Sequence, residues 1–140
     1  SAPLSIELPA HRARVVHAGV DPRLPFDQQS PESLLNIRTV ATRDGHRPLW
    51  GAAYNGPEQI VFGHNAAPGL QLHPFATGLD TGCVYGGRLT AMVLPEGAVV
   101  PKSLAERQRA LVSVPALRVH FDPMGRPSDV KKRGRAARRP

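Results

Sequence analysis

The chain has 140 residues and a mass of 15.1 kDa, with 18 Lys and Arg against 11 Asp and Glu, a formal charge of +7. This length suits one domain at most, and 13 Gly with 15 Pro exclude a helical bundle or coiled coil and favour short strands joined by tight turns. The apolar runs are only a few residues long, which excludes a transmembrane helix and a membrane partner.

Ser5-Ile6-Glu7-Leu8 is a short alternating stretch that Pro9 ends. The opening residues lack the basic-then-apolar layout of a signal peptide. Arg14-Val15-Val16-His17 is β-branched and runs into Ala18-Gly19, a strand followed by a turn. Asp21-Pro22 and Leu24-Pro25 then forbid helix. Ser30-Pro31-Glu32 is a helix start, with Ser30 as N-cap and Pro31 at the first helical position. Leu34, Leu35, Ile37 and Val40 give that helix an apolar face, and Asp44-Gly45 stops it.

Gln59-Ile60-Val61-Phe62 is a second apolar strand, and Gly63-His64 ends it as His17-Ala18-Gly19 ended the first. Further strands are expected at 70–73, 88–94, 111–114 and 117–121, with a short helix over 105–111. Gly86-Gly87 reads most simply as a hairpin turn. The last ten residues hold Lys131, Lys132, Arg133, Arg135, Arg138 and Arg139 and no acid, so the body is nearly neutral. Such a block cannot bury apolar area and is expected to be a disordered basic tail. It is either a solubilising end or a binder of RNA, a ribosome or another acidic partner.

His17 and His64 are the leading candidates for chemistry. Neutral imidazole is a ligand for Zn, Mn or Fe, and a strand-end glycine lets a metal or substrate approach the backbone. A structural or surface role fits the same two residues, as it does His11, His46, His73 and His120. Asp80, between Gly78 and Gly82, is either a supporting site residue or a turn former. Cys83 reads as a small buried side chain; as the lone cysteine it excludes a disulfide framework and fits a reducing, cytoplasmic setting. Arg38 could fork onto a phosphate or simply lie exposed on its helix.

Val16-His17-Ala18-Gly19-Val20, Leu35-Asn36-Ile37-Arg38, Val61-Phe62-Gly63-His64-Asn65-Ala66 and the run from Gly78 to Ala91 (GLDTGCVYGGRLTA) occur in that order. Together they resemble the C-terminal half of a calcineurin-like metallophosphoesterase, in the branch that holds the symmetrical diadenosine tetraphosphatases and relatives of the Ser/Thr protein phosphatases. The resemblance covers roughly residues 4 to 94. It implies an α+β fold, the C-terminal half of a two-sheet β-sandwich flanked by helices. On this reading residues 1–97 belong to the phosphoesterase domain, 98–128 form an extension with short strands, and 129–140 are the basic tail.

The resemblance further implies that His17 and His64 bind one of two divalent metal ions (Mn, Zn or Fe), that Arg38 clamps phosphate, and that Asp80 supports the site. The implied chemistry is metal-assisted hydrolysis of a phosphoric ester or anhydride, on a phosphorylated small molecule such as a dinucleoside polyphosphate or on a phosphoprotein. The family's N-terminal motifs, Gly-Asp-x-His-Gly, Gly-Asp-x-x-Asp-Arg-Gly and Gly-Asn-His-Glu, have no counterpart here, since the chain contains no Gly-Asp and no Asn-His dipeptide. The chain is therefore expected to be a truncated portion, inactive and poorly stable without a missing N-terminal half. The alternative is a non-catalytic remnant that binds an acidic partner through its tail.

Overall fold

A computed structural model describes residues 2–123 of the chain. The basic tail expected at 129–140 lies outside the described residues. Strand β1 (Ser5–Leu8) ends at Pro9, and a 3-10 turn over Pro9–His11 leads through Arg12 in the left-handed region into β2 (Ala13–Val16). Helix α1 (Pro31–Asn36) and the single-turn α2 (Trp50–Ala53) precede β3 (Gln59–Phe62), and β4 (Gln71–Leu72) and β5 (Ala76–Gly78) follow it. These strands form one sheet in the order β1-β2-β3-β5-β4, with β2, β3 and β5 parallel and the two edges antiparallel.

A second, antiparallel sheet holds β6 (Asp80–Thr81), β7 (Arg88–Met92) and β8 (Leu111–Pro115), with helix α3 (Leu104–Arg109) leading into β8. Pairing of β8 with β7 over five residues builds this part of the 98–128 segment into the fold. The architecture is α+β, two sheets with few helices, as expected.

Alternation sorts the first sheet's side chains into two faces. Val16, Ile60, Phe62 and Ala76 form the core with Leu34 of α1, Trp50 of α2, Val20 and Val40. The Trp50 indole N–H donates to the Ala18 carbonyl at 3.1 Å, and a Cβ on Gly19 would overlap that indole. The opposite face contributes Ala13, Val15 and Val61 to a hollow of about 330 Å³ that Met92 and Leu94 also line, which places the second sheet over it.

Several elements differ from the sequence reading. Ser30 caps α1 as expected, its hydroxyl accepting from Ser33 N–H at 3.1 Å. The helix nevertheless ends at Asn36, because Ile37 turns to an extended ψ of 134° and Val40 N–H pairs with the Pro48 carbonyl. Val40 thus reaches the core from extended chain, and Leu35 faces solvent. The segment 117–121 is not a strand: the N–H groups of His120 and Phe121 both donate to Val84 O and to no neighbouring strand. Gly86-Gly87 lies in the loop of the antiparallel β6–β7 hairpin, as expected, but that loop spans 82–87 and is longer than a two-residue turn. A 3-10 turn over Cys83–Tyr85 fills the loop, which closes through Gly87 N–H on Gly82 O at 2.9 Å. Cys83 lies on that turn and is only half-buried.

Candidate functional site

Three parallel strands bring three candidate residues to one edge. His17 follows β2, His64 comes two residues after β3, and Asp80 comes two residues after β5. Because parallel strands point the same way, their carboxyl ends share one rim, where open α/β sheets form crevices. Gly63 N–H donates to the His17 carbonyl at 2.9 Å, which extends the β2–β3 pairing up to the two histidines.

His17 Nε2 and His64 Nδ1 stand 3.1 Å apart, with ring centroids at 4.9 Å and planes tilted by 58°. Without a metal this is a hydrogen bond, one ring N–H donating to the other ring's lone pair. The same spacing falls within the ~2.9–3.4 Å expected between two imidazole nitrogens that share a cation at about 2.1 Å. His64 adopts a φ of 65°, a left-handed conformation that is strained for a residue with a side chain. Its imidazole is held below the ordinary histidine pKa, first by burial, then by the charges of Arg38 and His17, with Asp80 opposing. The neutral form that metal ligation requires is thereby favoured.

Arg38 lies in the chain just after α1, where its carbonyl accepts the Trp50 N–H at 3.1 Å. Its side chain lines a cleft of about 470 Å³ together with His64, Asn65, Gly82 and Tyr85. Asp80 Oδ1 accepts the Gly82 N–H at 3.1 Å and so shapes the loop beside the cleft. It is both a turn former and a neighbour of the site. The structure therefore gathers His17, His64, Arg38 and Asp80 in one region, from four separate stretches of chain.

The buried Asn65 and the ring of Tyr85 complete the cleft. Both lie in the segments that carry the resemblance, 61–66 and 78–91, but neither stands out there as a site residue. Gly82 also lines it, and lets the loop turn at a φ of 72°.

The donor set fits a divalent ion in part. Two neutral imidazoles supply half of a four-coordinate shell. Among the described residues, no group of three or more His, Cys, Asp or Glu side chains converges on one point.

No protein-family model matches the chain. It is 33% identical over 101 residues to the asymmetrical bis(5'-nucleosyl)-tetraphosphatase PrpE of Halalkalibacterium halodurans, a match covering 68% of this chain and 41% of that protein. It is 40% identical over 71 residues to PrpE of Bacillus subtilis, covering 47% of this chain and 29% of the relative. A symmetrical bis(5'-nucleosyl)-tetraphosphatase of Janthinobacterium matches at 44% identity over 50 residues, 36% of this chain and 18% of that one. The crystal structure of a putative diadenosine tetraphosphatase superposes with a TM-score of 0.64 at 36% identity, over 81% of this chain and 51% of the other. The chain thus spans less than half the length of these curated relatives.

Proposed function

Because the chain corresponds to the C-terminal portion of a calcineurin-like phosphoesterase, we propose that it supplies the histidine part of a metal site that hydrolyses a phosphoric anhydride, with a dinucleoside polyphosphate as substrate. One observation carries the reading: two histidines far apart in sequence meet at 3.1 Å on the carboxyl rim of adjacent parallel strands. The relatives' names support the substrate class, since each is a bis(5'-nucleosyl)-tetraphosphatase.

His17 and His64 would hold one divalent ion through Nε2 and Nδ1, the nitrogens that face each other. When bound, such an ion supplies Lewis-acid neutralisation of phosphoryl charge. Arg38, always protonated, offers a planar fork to phosphate oxygens across the cleft it shares with His64. Asp80 acts as a positioning residue: it holds the Gly82 loop by a hydrogen bond, and its charge tempers the downward push on the His64 pKa. The remaining ligands come from a polypeptide that provides carboxylates, and hydrolysis requires it.

Calorimetric titration of Mn²⁺ or Zn²⁺ into the full chain tests the assignment. H17A and H64A are each expected to weaken binding at least about tenfold, the order of loss seen when a metal site is damaged. Unchanged affinity in both variants would remove the site. Release of nucleotide from diadenosine tetraphosphate is expected only when the N-terminal half of a relative is added.

A further inference from the structure

Tyr85 and Phe121 are aromatic rings that the fold leaves half in water, 48% and 57% exposed. Their centroids lie 6.1 Å apart with planes tilted by 58°. Backbone hydrogen bonds, rather than core packing, put them together. Tyr85 ends the 3-10 turn between Gly82 and Gly86, both left-handed, with its N–H on Gly82 O at 2.9 Å. The N–H groups of His120 and Phe121 both reach Val84 O at 2.9 Å, which ties the far segment to that turn.

Tyr85 also stands between two hollows. One is the cleft that holds Arg38 and His64. The other, of about 400 Å³, is lined by Tyr85, Val119, Phe121, Asp122 and Pro123. The first offers the Arg38 guanidinium and the His64 imidazole to an anion, and the second offers ring faces to something flat. A ligand spanning both carries its anionic part at Arg38 and a planar apolar part beside Tyr85. A nucleotide has that layout, because one sugar separates its phosphates from its base.

We propose that Tyr85 and Phe121 form the nucleobase subsite of this cleft, an assignment that rests on the phosphoesterase reading above. Stacking on an aromatic side chain depends on the π-face that every base presents, so the subsite recognises a nucleobase without choosing among bases. It discriminates nucleoside polyphosphates from inorganic polyphosphate, which has no ring to place there.

The experiment is calorimetric titration of the full chain, with Mn²⁺ present, using two probes: the non-hydrolysable adenosine 5′-(β,γ-methylene)triphosphate and inorganic tripolyphosphate. The nucleotide is expected to bind more tightly. Y85A and F121A are expected to weaken nucleotide binding by about 5- to 150-fold, the range for one stacked base, and to leave tripolyphosphate unchanged. Y85F keeps the ring and is expected to bind the nucleotide like the unaltered chain. R38A is expected to weaken both probes. Tripolyphosphate affinity in each variant shows that the site is still folded. If the nucleotide binds no more tightly than tripolyphosphate, or Y85A and F121A weaken both probes alike, the subsite is overturned and the phosphoesterase reading survives. If neither probe binds the unaltered chain, both fall together.

Discussion

His73 is half-buried, with Nε2 3.2 Å from Gln71 Oε1 and its ring against the backbone of Gly51. Burial first, and the Arg107 guanidinium second, hold its imidazole below the ordinary value of 6.5. As pH falls through that value the unfolded chain takes up a proton that the folded chain resists, so the unfolded state gains. The melting temperature is expected to drop between pH 7.5 and 5, and H73Q is expected to flatten part of that slope. Thermal scans across this range check it, and an identical slope in H73Q would count against it. At the same scale, His17 and His64 were legible because glycine beside a strand-end histidine is a local pattern. Asn65 and Tyr85 sit in the motif stretches that carry the resemblance, yet their place in the cleft was not legible, because it is set by tertiary placement.

The element that joins the two sheets depends on a single cation. Arg107 on α3 is fully buried, and among the described residues no carboxylate forms an ion pair with it. Its guanidinium donates to the carbonyls of Pro101, His73, Ala76, Pro74 and Lys102 and to Thr77 Oγ1, at 2.8 to 3.3 Å. It thereby fastens α3 to the turn between β4 and β5. Lysine carries three donors and no fork, so R107K leaves buried carbonyls unpaired and is expected to cost about 2–4 kcal/mol, on the scale of one to two lost buried partners. Chemical denaturation measures this, and a loss under 0.5 kcal/mol, the size of an ordinary surface change, would refute it.

This latch was invisible in the sequence, where Arg107 is one of two basic residues in a short helix. The start of α1 was legible, since Ser30-Pro31 is a local cap. Its end was not, because Leu34, Ile37 and Val40 repeat at helical spacing while the second half is extended. Strand β5 was missed because Ala76-Thr77-Gly78 has no bulky apolar run; small residues fit there under Arg107 and beside the Phe62 ring.

For the molecule as a whole, one face of the second sheet is bare. Leu89 pairs with Val114 and Ala91 with Val112, and all four side chains are exposed. Strand β8 is also an edge of that sheet, with β7 on one side only. An apolar strip beside an open edge invites association. The chain is expected to form concentration-dependent oligomers, and the triple substitution L89T/V112T/V114T to reduce them. Sedimentation velocity tests this; a monomer at all concentrations would contradict it.

The meeting of His17 and His64 spans 47 positions of the chain. Closing a loop of that length has an entropic cost that no short segment can meet alone. The pair therefore comes together only when β2 and β3 are aligned by the whole core, and the unfolded polypeptide offers the two imidazoles separately. Any ion gripping both acts as a clasp across the crossover, and by linkage its grip is returned as resistance to unfolding. Affinity for the ion is thus a gauge of how completely the polypeptide has folded.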